Sequence, residues 1–302
     1  MPYLHEHHEV RVTRDVPYAR ARVHVSTTPI ERSLHLDVYE PVEPGAAATR
    51  PALIMAFGGA FHRGNKEADE FEGDPGHRNT PVSAWCHAFA RRGYCAFSID
   101  YRLTQEDPDP GTTPVVSDAN EVPRSRVDYV RGLLGLGPST PEMMRDAIEA
   151  ACDDLGAAFD FVRSQADRFR VDPARIAIGG FSAGARMALY TAYVQRVPAA
   201  AVLALSGYMT LRDLQTHVTR ARPLPPVCLV SGENDLDYLA KQAPLMADHF
   251  VAAREDCEWW QVPGGTHFYP ADSEAISRSG ERDRLESAVA RFLARALVRE
   301  PS

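Results

Sequence analysis

Ser182 lies in the run Gly180-Phe181-Ser182-Ala183-Gly184. A short apolar segment, 176–178, precedes it and reads as a buried strand. Residues 185–194 follow and are apolar enough for a buried helix. A serine between strand and helix, with glycine two residues before and two after, has the pattern of a nucleophile elbow. The reason is steric. The turn is so tight that the serine backbone is strained, and the residues at minus two and plus two must be almost free of side chain for strand and helix to approach. The hydroxyl is then held clear at the tip of a sheet, beside the first N–H groups of a helix. A Gly-rich turn without chemistry would produce the five-residue pattern in roughly a tenth of chains this long. The flanking strand and helix favour the nucleophile.

A serine hydroxyl needs a base to attack at neutral pH, and the base needs a group to orient it. His267 ends the loop Pro263-Gly264-Gly265-Thr266-His267, just past the apolar run 257–262, where it can reach Ser182. His249 falls inside a helical pattern and reads as structural. Three carboxylates, Glu233, Asp235 and Asp237, follow the strand-like run 227–230. Glu233 belongs to the strand exit, and Asp237 stands where it should cap the next helix. Asp235 lies between them, where the loop crosses toward His267, and is assigned the bond to the imidazole. The order Ser, Asp, His leaves room for at least one βα unit between successive members. A fourth segment, 57–64, places Gly58 and Gly59 just past another apolar run, where backbone amides can face a ligand.

These loops need strands to carry them. Residues 9–25 and 33–39 alternate and predict two antiparallel edge strands. Residues 52–57 and 94–99 are continuous apolar runs, hence buried strands. Thr80-Pro81 opens a helix that runs to Arg92, with Gly93 as its stop. Thr140-Pro141 opens another, with Met144, Ala147, Ile148, Ala151 and Leu155 on one face, Asp146, Glu149, Asp153 and Asp160 on the other, and Asp172-Pro173 as its break. Strands over 199–205, 227–230 and 257–262, a helix over 238–253 and a closing helix carrying Leu285, Val289, Phe292, Leu293 and Leu297 complete the alternation. Strand and helix alternate from residue 52 onward, which predicts an α/β fold: βαβ units and a mostly parallel sheet covered on both faces. The chain reads as one domain, 1–302. Residues 103–140 are long, rich in Pro, Asp and Thr, and without periodicity until 122–134. They are expected to form a lid, with Tyr129 and Leu133 or Leu134 as apolar pocket walls.

The net charge of −8 and the absence of basic runs argue against nucleic acid as a partner. No N-terminal apolar segment and no apolar window of about eighteen residues occurs, so neither a signal peptide nor a membrane span is expected, and a cytoplasmic location follows. Cys86, Cys95, Cys152, Cys228 and Cys257 are scattered singly and read as small buried hydrophobes. His5, His7 and His8 sit in a polar arm expected to be solvated rather than to bind metal.

The Gly58-Gly59 segment, Asp100-Tyr101-Arg102-Leu103, the elbow, Gly232-x-x-Asp235 and Gly265-x-His267 together resemble α/β-hydrolases of the carboxylesterase/lipase group, near the hormone-sensitive-lipase-like and small bacterial carboxylesterase families. The likeness spans about residues 30–297. It implies a serine hydrolase acting on small-molecule carboxylic esters without metal or organic cofactor, and a Ser182–His267–Asp235 triad. It also implies an oxyanion hole from the amides of Gly59, Ala60 and Ala183. Amide or formamide hydrolysis, peptidase action and a non-catalytic ligand-binding scaffold are the rivals. The family's His-Gly-Gly-Gly motif is altered: Phe57 and Ala60 replace its first and last positions, and phenylalanine cannot make the histidine's loop-holding hydrogen bond. Phe57 is expected to pack beneath the loop instead.

Overall fold

The structure is a computed structural model that describes residues 3–42, 49–68, 70–71, 77–221, 223–253 and 256–297. Among these, ten strands make one sheet. β1 (Glu9–Val23), β2 (Ile30–Val42), β3 (Arg50–Ala56), β4 (Cys95–Ile99), β5 (Val171–Phe181), β6 (Ala201–Leu205), β7 (Val227–Gly232), β8 (Cys257–Val262), β9 (Glu274–Ser277) and β10 (Arg282–Arg284) lie in the order β1-β2-β4-β3-β5-β6-β7-β8-β9-β10. The six strands from β4 to β8 run parallel. Antiparallel pairs close both edges: β1 and β2 on one side, β9 and β10 on the other. Every residue of β3, β4 and β6 is buried, which a sheet achieves only with cover on both faces.

The helices are α1 (Val82–Arg91), α2 (Ser125–Leu133), α3 (Pro141–Ser164), α4 (Ala166–Phe169), α5 (Ala183–Tyr193), α6 (Leu211–His217), α7 (Asp237–Ala252) and α8 (Leu285–Leu297). Thr140 caps α3 by accepting the Met143 amide, with Pro141 in the first turn, as the sequence predicts. The expected lid residues 103–140 hold two short 3₁₀ turns, 104–106 and 119–121, and α2.

Several local expectations are corrected. Glu149 is not on a solvent face. It is buried and accepts the amides of Val115 and Val116 at 2.9 and 3.3 Å, tying the 103–140 segment to α3. Asp172 and Pro173 do not end α3, which stops at Ser164. They lie within β5, where a register shift against β3 spares the proline a ladder bond. Asp237 is the first residue of α7 but makes no capping bond. Thr80 does not cap α1; its hydroxyl accepts the Ala271 amide at 2.8 Å. The His5 and His7 side chains of the N-terminal arm are exposed, as expected, but the arm is also docked on the body of the protein. His7 and His8 donate their amides to the Arg91 carbonyl, Glu6 pairs with Arg91 and Arg92, and the Tyr3 ring meets Tyr94. Cys86, Cys95, Cys152 and Cys228 are buried and Cys257 is half-buried, and none is in a disulfide among the described residues. The expected loop over 41–50 and the irregular stretch 65–80 fall partly outside the described residues.

Candidate active site

Ser182 closes β5 and opens α5 with φ 53° and ψ −111°, a strained region for a non-glycine residue. What enforces it is visible at Gly184: a Cβ there would stand 2.0 Å from the Ala56 carbonyl oxygen, so α5 can approach β3 only over a bare backbone. Ser182 donates its amide to the Leu205 carbonyl at 2.7 Å, and its own carbonyl takes the Arg186 amide at 2.9 Å. The turn is thus locked from both sides, and the hydroxyl projects at the carboxyl end of the sheet.

The structure brings together three of the residues singled out in the sequence. The His267 Nε2 lies 2.9 Å from the Ser182 hydroxyl, and its Nδ1 lies 2.7 Å from the Asp235 Oδ1. The carboxylate only accepts, so Nδ1 carries the proton and Nε2 is free to take one. Asp235 and His267 are both buried. Their loops are held in register by backbone bonds from Asn234 to the Gly265 carbonyl and from Glu233 to the Val262 carbonyl, 2.7 and 2.9 Å. Gly232 permits that approach, because a Cβ there would sit 2.0 Å from the Thr266 oxygen.

The other two carboxylates do different work. Glu233 accepts the Gly264 amide at 2.7 Å from outside, and Asp237 is exposed. His249 bonds the Val218 carbonyl within the α7 packing. Two further residues around Asp235 escaped the sequence reading. Ser206, the residue after β6, donates its hydroxyl to Asp235 Oδ2 at 2.6 Å and lies 2.9 Å from the Tyr269 hydroxyl. Burial above all, and then the Asp235 charge, push the Tyr269 pKa well up, so it remains a neutral hydroxyl. Leu236 and Gly232 amides complete the cage at 2.7 and 3.3 Å. A serine directly past a parallel strand is the signal that could have pointed to Ser206, since strand ends carry sites in such sheets.

The segment after β3 turns back over Ser182. Ala60 and Phe61 adopt φ of 57° and 59°, a costly pair for non-glycine residues. Several bonds hold them there. Thr104 donates to the Phe61 carbonyl from amide and hydroxyl, 2.8 and 3.0 Å. The buried His62 donates Nδ1–H to the Ala60 carbonyl at 2.7 Å and accepts from Arg131 Nη1 at 3.0 Å. Burial leads in lowering the His62 pKa; the Ala60 bond opposes it and the Arg131 charge reinforces it, and the bonding pattern is that of a neutral ring. His62 thus supplies a loop-holding bond that Phe57 cannot. Phe57 itself is buried, stacks on Tyr101 at 4.3 Å and receives the Tyr101 hydroxyl on its carbonyl at 2.9 Å. It packs beneath the loop, as expected. The amides of Ala60 and Ala183 have no hydrogen-bond partner among the described residues.

A narrow cavity of about 30 Å³ opens onto Ser182, walled by Ala60, Ala183, Val127, Arg186, Ser206 and Tyr208 among others. An outer groove of about 610 Å³ is lined by Arg63, Arg126, Tyr129, Leu133, Tyr238 and His267 among others. Arg126 and Tyr238 wall both. Tyr129 and Leu133 therefore face the groove; Leu134 lines neither space. Among the described residues no cluster of three or more His, Cys, Asp or Glu is placed to hold a metal ion, and no helix is long and apolar enough to cross a membrane.

Comparison with known proteins agrees with this architecture. A profile of the phospholipase/carboxylesterase family matches residues 139–273, which include Ser182, Asp235 and His267. No curated protein matches the chain. Among solved structures, a native thermophilic esterase of the planctomycete Thermogutta terrifontis is 20% identical, with 86% of this chain and 82% of that chain covered and a TM-score of 0.56. The same organism's esterase 2 phosphorylated by paraoxon is also 20% identical, with 97% and 96% covered and a TM-score of 0.59. A propionate-bound form of the thermophilic esterase, 20% identical, covers 88% of this chain and 86% of that one at a TM-score of 0.56. The chain has the α/β-hydrolase fold.

Proposed function

We propose that the chain is a serine hydrolase that cleaves carboxylic esters. The observation that carries this reading is the unbroken hydrogen-bonded line from Asp235 through His267 to a hydroxyl on a strained turn, 2.7 and 2.9 Å. In the proposed reaction Ser182 Oγ attacks the ester carbonyl carbon while His267 Nε2 takes its proton. Asp235 stabilises the imidazolium and keeps the ring oriented. The amides of Ala60 and Ala183, with Gly59 beside them, stabilise the oxyanion, a contribution on the order of 10²–10³ in kcat for each donor. His267 returns the proton to the leaving alcohol, and water then releases the acyl group by the same steps in reverse roles. The family match and the esterase neighbours support ester chemistry. The 103–140 segment serves as the lid, with Pro123, Arg126 and Val127 over Ser182.

The cavity beside Ser182 has little more room than one or two water-sized groups need. The reading therefore favours a short group on that side of the ester. The test is a series of p-nitrophenyl esters from acetate to decanoate, beside the p-nitroanilide of the best acyl group. The expected result is kcat/KM highest at two to four carbons, falling at least about tenfold by eight, with the anilide slower by at least about 10². Faster anilide than ester turnover would make the protein an amidase.

A further inference from the structure

Arg186 sits one helical turn beyond Ser182 on α5, 5% exposed, and walls the inner cavity. Its Nη1 donates to the Tyr208 hydroxyl at 2.9 Å, and its guanidinium lies 4.6 Å from the Tyr208 ring and 5.4 Å from the Tyr190 ring. Among the described residues its Nε and Nη2 have no hydrogen-bond partner, and no carboxylate pairs with it. That is unusual in this molecule. Three other buried cations hold acids: Arg102 pairs with Asp154, Lys66 with Asp37, Arg92 with Glu6 and Glu286. The carboxylate in the neighbourhood, Asp213, is already occupied. Its Oδ2 takes the hydroxyls of Tyr190 and Thr210, and its Oδ1 takes the Ser117 amide.

A buried charge without a partner is costly and calls for a counter-ion. The aromatic rings cover the faces of the guanidinium but leave its in-plane N–H groups unsatisfied. The two open donors, Nε and Nη2, form one edge of the fork, the edge that receives a carboxylate through two parallel bonds. Tyr208 accepts from Arg186, so its own proton is available to the same anion. A second cation faces this space: Arg126, on the lid helix, walls the inner cavity between the rings of Tyr129 and Phe268 and has no acid partner among the described residues. Arg63 adds a third at the outer groove, over the Phe71 ring. Asp235 and Asp237 also line that outer groove, but the inner cavity is walled by Arg186 and Arg126 and, among the described residues, by no carboxylate. In a chain of net charge −8 that is a local reversal of sign, which attracts an anionic ligand.

We propose that the site takes esters that themselves carry a carboxylate, seated on the Nε and Nη2 edge of Arg186 and the Tyr208 hydroxyl while the ester carbonyl meets Ser182. This rests on the esterase reading for turnover, but not for binding.

The experiment uses two pairs of substrates of matched shape. Monoethyl succinate is set against ethyl 4-methylpentanoate, which places the charge on the acyl side. Butanoyl glycolate is set against isobutyl butanoate, which places it on the alcohol side. The expected result is that kcat/KM favours the anion at least about tenfold in one pair, which identifies the side, and that Arg186→Gln lowers that ratio by about tenfold or more whatever the absolute rates. Neutral esters preferred in both pairs, or a ratio unmoved by Arg186→Gln, would overturn the proposal. Should the Arg186 variant fail to fold, Tyr208→Phe supplies the same ratio and is expected to lower it several-fold. Calorimetric titration of the Ser182→Ala protein with the same four compounds separates the two readings. Tighter binding of an anionic member, without turnover of any ester by the native enzyme, would sustain the anion site and refute the esterase. Equal binding within both pairs would refute the anion site alone.

Discussion

Replacing Ser182 with alanine is expected to lower kcat on an activated ester by a factor on the order of 10⁴–10⁶, with KM nearly unchanged. The size of the effect follows from what the variant keeps. The strained turn is dictated by Gly184 against the Ala56 carbonyl and by the bond from the residue-182 amide to Leu205, none of which involves the hydroxyl. Alanine therefore preserves the cavity, the unpartnered amides of Ala60 and Ala183 and the His267–Asp235 pair. Only the attacking atom is removed, so binding persists while the covalent route is lost. Single-turnover and steady-state kinetics on purified protein are the check. A variant that keeps a tenth of the native kcat would show that another group attacks.

The second large effect is expected at Asp235. In Asp235→Asn the side chain would present an amide N–H, or at best a weaker acceptor, to His267 Nδ1. The imidazole would then place its proton on Nε2, the atom that must receive the serine proton, and kcat should fall by about 10⁴. The cage around Asp235 sharpens the expectation. Ser206, Leu236 and Gly232 all donate to it, an arrangement built for a carboxylate. Glu233→Gln and Asp237→Asn should leave kcat within a few-fold of native. Glu233 meets only the Gly264 amide among the loop's groups, which a glutamine oxygen still accepts. Asp237 is exposed and makes no capping bond, so its replacement should cost less than about 1 kcal/mol. The comparison is kcat for the three variants under one condition. A large loss at Glu233 or Asp237 with Asp235→Asn near native would move the orienting role to another acid.

The sequence made the elbow legible because its constraint is local: two glycines, a serine, and the strand and helix that crowd them. The relation of Asp235 to His267 was legible for a related reason, since each follows an apolar strand in a chain that alternates strand and helix. Neighbouring strand ends in a parallel sheet put their loops together. What stayed hidden depends on contacts between distant segments. Glu149 looks like a solvent-face residue by helical spacing, but the amides of Val115 and Val116 fold onto it. The roles of Ser206 and Tyr269 appear only when β6 and the loop after β8 meet at Asp235. His62 replaces the missing loop-holding bond from five residues past Phe57, through a turn whose positive φ at Ala60 and Phe61 no glycine signalled. β9 and β10 are short, and β10 is the charged run Arg282, Asp283 and Arg284, so no period-two pattern announced them. α6, seven residues long, is likewise too brief for helical periodicity to declare itself. Arg186 could have been noticed as a charge inside an otherwise apolar helix, though its missing partner is a fact of the folded chain.

The proposed function stands on Ser182 as a nucleophile activated through His267. It is tested most directly by incubating the native protein with a fluorophosphonate and measuring intact mass, followed by peptide mapping. One phosphonyl group per chain is expected, located on Ser182, with matching loss of esterase activity, and no labelling of Ser182→Ala under the same conditions. Labelling at another residue, or a native protein left unmodified and without esterase activity, would contradict it.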